Sequence, residues 1–113
     1  MEDSILITLK NMLGLDEDYK DFDEDLIPLT NSVLMVLEQI GVGLDGFAIT
    51  GPEETWSAFL GENSSRLEAA KTYLYIKVRL LFDPPNSSAV TSSFEATAKE
   101  LEWRLNVKAE SLN

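Results

Sequence analysis

The segment from Leu67 to Pro85, LEAAKTYLYIKVRLLFDPP, constrains the fold more than any other part of the chain. At about 100° per residue, its apolar side chains cover about 200° of a helix surface and leave only a narrow polar strip. A helix with so wide an apolar surface has to be enclosed by neighbouring elements. The prolines end it, because a residue that precedes proline is disfavoured in the α conformation. We therefore predict a central helix over about residues 65–82. Its apolar surface consists of Leu67, Ala69, Ala70, Tyr73, Leu74, Ile76, Val78, Leu80 and Leu81.

Lys77 breaks this pattern, because it falls near the centre of the apolar surface. Its aliphatic stem can lie along apolar neighbours while the ammonium group reaches water. Alternatively, it pairs with a carboxylate of its own chain or lies in an interface with another subunit. We predict that Lys77 reaches an acid, within the subunit or across an interface, and we treat it as a candidate interface residue.

The charge of the chain is unevenly distributed. The 113 residues, 1–113, fit a single domain with one modest core, and the net charge is −11. Residues 1–62 hold 14 acids and 2 bases, which gives −12, whereas residues 63–113 hold 6 acids and 7 bases, which gives +1. Direct and sequence-specific binding of nucleic acid is not expected, because it needs clustered Lys and Arg. The acidic first half of the chain either serves solubility or forms a surface that repels DNA or binds a basic partner.

The usual reactive side chains are missing from the sequence, which contains neither Cys nor His. The commonest general base, the commonest metal ligand and the thiol nucleophile are therefore unavailable. The acids are concentrated in one stretch that offers no apolar pocket to tune them. We predict no enzymatic activity and no cofactor. The acidic N-terminus and the lack of a run of about 20 apolar residues predict a soluble protein that does not bind a membrane.

Two apparent binding motifs fail when their spacing or context is tested. Residues 15–25, LDEDYKDFDED, contain seven acids, but no frame gives the Gly and Glu positions of a calcium-binding EF-hand loop. We predict a solvated loop that leads into a helix N-terminus. Residues 41–46 match G-x-G-x-x-G, yet a helical pattern precedes them where a dinucleotide site requires a strand. They are interpreted as a flexible connection.

Other helical patterns flank the central one. A first helix begins at Asp3 or Ser4 and ends near Gly14, and a second runs from about residues 23–25 to Ile40. A short helix with Trp56 follows, and a last helix begins after residues 86–88 with a candidate break near residue 92. The predicted fold class is all-α, with four or five helices packed around the central helix and an irregular Gly-rich middle segment.

Trp103 is the second exception to the expected pattern. The last helix has a narrow apolar stripe, and Trp103 points almost directly away from it. Trp is enriched at binding hot spots, which makes Trp103 a candidate protein contact. The alternative is that it packs under the Gly-rich loop of its own chain. The stripe comprises Val90, Phe94, Ala98, Leu101 and Leu105.

In order along residues 4–108, these features resemble the head-tail connector, or adaptor, proteins of tailed phages and prophages. The most specific part of the likeness is the succession of Leu-Leu-Phe-Asp-Pro-Pro at 80–85 and Glu-Leu-Glu-Trp-Arg-Leu-Asn at 100–106. Trp103 and Arg104 fall within the second motif, so Arg104 joins Trp103 and Lys77 as a candidate interface residue.

The resemblance implies a helical, non-enzymatic virion protein. It would be a subunit of a ring that forms from copies of the same chain. After DNA packaging, this ring would bind the portal protein and a downstream neck or tail protein. Its location would be the virion neck, and the host cytoplasm during assembly. The alternative function is an acidic DNA mimic that occupies the nucleic-acid site of a host protein.

Overall fold

A computed structural model describes residues 3–61 and 64–111, and in these two ranges all regular elements are helical. The predicted all-α class and the number of four or five helices are confirmed. Strand-like pairing within the described ranges is limited to an isolated bridge between Ser4 and Thr55. The elements are α1 (Ile5–Met12), α2 (Asp23–Gln39), α3 (Trp56–Leu60), a 3-10 turn (Ser64–Arg66), α4 (Leu67–Phe82) and α5 (Ser88–Ser111).

Helix α4 lies at the centre and contacts α1, α2 and α5. It begins at Leu67, slightly later than predicted, because residues 64–66 form the 3-10 turn. Leu81, predicted to belong to its enclosed surface, is instead 66% exposed in the last turn. The enclosed side chains of α4 are Ala70, Tyr73, Leu74, Ile76 and Val78.

The start of α1 is fixed by a cap and by pairing with the segment before α3. Ser4 caps the helix, since its hydroxyl oxygen accepts a hydrogen bond from the Ile7 N–H at 3.2 Å. The Ile5 N–H donates to the Glu54 carbonyl at 3.1 Å, and the Trp56 N–H donates to the Asp3 carbonyl at 2.9 Å. These bonds hold α1 beside α3, and the Trp56 side chain is fully buried there.

The Gly-rich segment, residues 41–46, is irregular, as predicted, but it is fixed against α3. The Leu44 N–H donates to the Phe59 carbonyl at 2.8 Å. Gly43 has a φ of +89°, and the Phe59 ring occupies the space that a Cβ at Gly43 would need. Only glycine fits this position without strain. The segment is therefore part of the packing around Phe59, and its flexibility stays a prediction.

Lys10 fixes the acidic segment, defined here as residues 15–25. Its side chain is only 2% exposed, and its ammonium group donates to the carbonyls of Glu17 at 3.1 Å and Tyr19 at 2.6 Å. The same Nζ lies 2.9 Å from Asp23 Oδ1. Residues 16–21 remain exposed, as predicted for a solvated loop. α2 then begins with Asp23, Glu24 and Asp25, whose charges favour a helix N-terminus.

Candidate protein interface

Helix α5 has an inner side that packs on α4. Ala98 and Leu105 are buried there, and Phe94 and Leu101 are partly buried against the core. Val90, predicted to be part of the same stripe, is exposed in the first turn of the helix. α5 runs from Ser88 to Ser111 without the predicted break.

Trp103 lies on the outer side of α5 and is 65% exposed. The alternative that it packs under the Gly-rich loop of its own chain is therefore wrong. Covering the exposed part of a Trp, on the order of 100 Å², gives a gross gain of about 2.5 kcal/mol, from which the entropy costs of association are subtracted. An exposed Trp on a regular helix is thus a strong potential contact for a partner.

Arg104 lies beside Trp103 and forms an ion pair with Glu100 at 3.6 Å. Both side chains are exposed, so this pair contributes less than about 1 kcal/mol. Arg104 can therefore exchange Glu100 for a partner carboxylate at little cost.

One flank of the contact between α4 and α5 is closed. The Tyr75 and Phe94 rings meet edge to face with centroids 6.1 Å apart. The Arg79 guanidinium lies 5.6 Å from the centre of the Phe94 ring and donates a hydrogen bond to the Tyr75 hydroxyl at 2.7 Å. These three side chains fill the space between α4 and α5 on this flank.

The opposite flank is open and forms what we call the α4–α5 cleft. Lys77 and Leu80 from α4 and Glu95 from α5 line its full length. The remaining lining residues are Leu81, Pro84 and Thr91 toward one end and Ala98, Lys99 and Glu102 toward the other. The cleft thus combines apolar side chains with charges of both signs.

Lys77 is partly buried in this cleft. None of the described carboxylates forms an ion pair with it, although Glu95 and Glu102 line the same cleft. The predicted ion pair within the subunit is therefore absent from the described part of the chain, and the pair across an interface stays a prediction. Glu102 is already engaged, since its Oε2 accepts a hydrogen bond from the Tyr73 hydroxyl at 2.7 Å. Burial and this acidic partner raise the pKa of Tyr73 far above its usual value.

The three predicted interface residues do not form one cluster. Lys77 lines the cleft, whereas Trp103 is one turn beyond Lys99 on α5 and is not among the lining residues. Arg104 follows Trp103 around the helix. Sequence periodicity missed the exposure of Leu81, which extends the cleft with apolar surface.

The described residues show neither a grouping for metal nor a membrane-spanning helix. In ranges 3–61 and 64–111, no three acidic, His or Cys side chains come together to bind a metal ion. No helix there has the length and hydropathy that crossing a bilayer requires. The predicted interface residues lie on two open surfaces, the α4–α5 cleft and the outer side of α5.

Comparison with protein families decides the assignment. The model of the family described as phage connector protein matches residues 5–111, which is nearly the whole chain. The chain belongs to the phage connector protein family. Its predicted resemblance to head-tail connectors is confirmed. No curated protein and no solved structure gives a significant match.

Membership of the connector family defines a general role. This connector is a structural phage protein of head-tail joining and a component of the virion neck, and it interacts with other virion proteins such as portal or tail proteins. The family is structural and is not known for enzymatic activity.

Proposed function

We propose that this connector acts as a ring subunit, with residues 1–113 as one connector unit. The ring binds below the portal after DNA packaging, and its other side receives the next neck or tail protein. Subunits and portal meet in the host cytoplasm during assembly. The observation that carries this proposal is the family match over residues 5–111.

The surface of the chain supports a subunit role. Trp103 is 65% exposed on the outer side of α5, and Trp is enriched among the residues that dominate protein interfaces. Trp103, Arg104 and Lys77 are the residues that we assign to protein contacts.

The charge of the chain supports a role beside DNA without direct binding to it. A net charge of −11 repels phosphates, so packaged DNA can pass a ring of such subunits without being held. The acidic DNA-mimic alternative accounts for the charge but not for the family match.

The test is addition of the purified chain to assembled portal rings, followed by electron microscopy. We expect an added ring of density on one side of the portal. Failure to bind the portal at high protein concentration would overturn the proposal.

A pair of variants tests the contribution of Trp103. Trp103→Ala should reduce ring or portal association, whereas Leu44→Ala, which removes another exposed large side chain, should not. In the wild type, iodide should quench Trp103 fluorescence in the free chain and much less in the assembly. If Trp103→Ala assembled normally, Trp103 would not be an interface residue, but the proposal that the chain binds the portal would be unaffected.

A further inference from the structure

We infer that the α4–α5 cleft binds the acidic segment, residues 15–25, of a second copy of this chain, so that neighbouring subunits meet head to tail. This inference rests on the ring proposed above and names the surfaces that would form it. The argument depends on the cleft, the charge of its occupant and the positions of the two surfaces.

The cleft contains a cation that lacks a counter-ion among the described residues. Lys77 is partly buried between apolar neighbours and forms no ion pair there. Of the two acids that line the cleft, Glu102 accepts a hydrogen bond from Tyr73, and Glu95 forms no ion pair with Lys77. A carboxylate that enters from outside would pair with Lys77 where water is partly excluded, which strengthens the attraction.

The charge distribution favours the acidic segment as the source of that carboxylate. It holds seven acids, and one of them, Asp23, is paired with Lys10. The surface of α4 and α5 belongs to the half of the chain whose net charge is +1, whereas the acidic segment belongs to the half with −12. Contact between unlike halves of two copies therefore avoids the repulsion that two acidic halves would meet.

Apolar side chains on the two surfaces match as well. Leu81 beside the cleft is 66% exposed, and Tyr19 within the acidic segment is 44% exposed. The Tyr19 ring is supported by Phe22, with centroids 5.4 Å apart. Because Lys10 fixes the carbonyls of Glu17 and Tyr19, the segment is ordered before it binds, which lowers the entropy cost of association.

The two surfaces lie at the same end of α4 but face different directions. The Phe22 ring of the acidic segment contacts Phe82 of α4, with centroids 5.2 Å apart. Lys77 and Phe82 are separated by about 140° around the helix axis, at about 100° per residue. A subunit with two different complementary patches on different sides forms head-to-tail contacts, which generate a ring when the rotation closes.

The lack of native cysteine allows a direct cross-linking test. One chain carries Leu81→Cys and an added tag that changes its size, and a second chain carries Asp21→Cys. They are mixed, assembled on portal rings and treated with a short bismaleimide. Separate chains are needed because Phe22 contacts Phe82 within one subunit, which would allow cross-links between the adjoining positions 21 and 81 of a single chain. We expect cross-linked heterodimers at least tenfold more abundant than with Asp45→Cys, a matched exposed acid elsewhere.

Three outcomes would overturn the inference. Homodimers of the Leu81→Cys chain would indicate a two-fold contact, and preferred linkage to Asp45→Cys would place another surface in the cleft. If portal-bound rings contained no cross-linked heterodimers, the cleft would not bind the acidic segment and would be available to the portal or another partner. The proposed function would not be affected. Conversely, heterodimers in solution without portal binding would retain the inference and remove the proposed function.

Discussion

Lys10 Nζ lies 2.9 Å from Asp23 Oδ1, which joins the last turn of α1 to the first turn of α2 through a buried cation. The same ammonium group holds the carbonyls of Glu17 and Tyr19. One side chain therefore fixes the acidic segment at three positions, Glu17, Tyr19 and Asp23.

Replacing Lys10 should strongly destabilise the chain. Lys10→Met retains most of the apolar stem but leaves two carbonyls and Asp23 without their cation, and we expect a loss of about 3 kcal/mol in the free energy of unfolding. Lys20→Met, at an exposed position in the same segment, should change it by less than about 0.5 kcal/mol. Urea unfolding measures both. A similar small effect for the two variants would show that Lys10 does not fix the segment.

The two Trp residues should differ in their effects on stability. Trp56 is fully buried, so Trp56→Ala should cost about 3–5 kcal/mol in the free energy of unfolding. Trp103→Ala should leave the melting temperature of the monomer nearly unchanged, because its side chain is mostly in water. Thermal unfolding followed by circular dichroism compares them. A large decrease in Tm for Trp103→Ala would mean that Trp103 stabilises the monomer.

The hydrogen bond from Tyr73 to Glu102 predicts a loss of stability in alkali. Burial and the acidic partner raise the pKa of Tyr73 in the folded chain, whereas the unfolded chain loses this proton near pH 10. The contribution is complete below about pH 10 and declines as the pH rises from there toward the folded pKa. We expect the free energy of unfolding to fall with rising pH in this window.

Tyr73→Phe should remove the decrease in the free energy of unfolding that Tyr73 causes at high pH. Urea unfolding from about pH 9 to about pH 11 measures it. The control, Tyr75→Phe, leaves the Tyr73 hydrogen bond in place and should retain the slope. Equal slopes in wild type and Tyr73→Phe would contradict the assignment.

Gly43 and Gly46 form a matched pair for testing how the Gly-rich segment is held. Both have positive φ, but a Cβ would collide with the Phe59 ring at Gly43 and meet open space at Gly46. Gly46→Ala should cost about 1 kcal/mol from backbone strain alone. Gly43→Ala should cost about 2–4 kcal/mol, because overpacking is added to the strain. Equal losses in denaturant unfolding would mean that the segment does not pack on Phe59.

The sequence predicted the helices well because their information is local. The period of α4 and the prolines after it gave the central helix within two residues of its observed bounds. The exposure of Leu81 was not predictable in this way, since periodicity reports a direction around the helix and not where neighbouring elements end.

Long-range contacts explain the other differences. The burial of Lys10 depends on carbonyls seven and nine residues away, and the docking of Gly43 depends on the Phe59 ring. No pattern along the chain signals either contact. For the candidate interface, the position of Trp103 opposite the apolar stripe was a sufficient local signal for its exposure. The sequence could not predict that Lys77 lacks an ion pair, because its neighbours in the cleft depend on how α5 packs beside α4.

The contacts of Lys10 have an evolutionary consequence for the acidic segment. Two of its three partners are backbone carbonyls, at Glu17 and Tyr19, and any residue supplies such a carbonyl. The path of the loop is therefore independent of which side chains it displays at these positions. Substitutions there can alter the outward charge and shape, and hence the choice of binding partner, without loss of the fold.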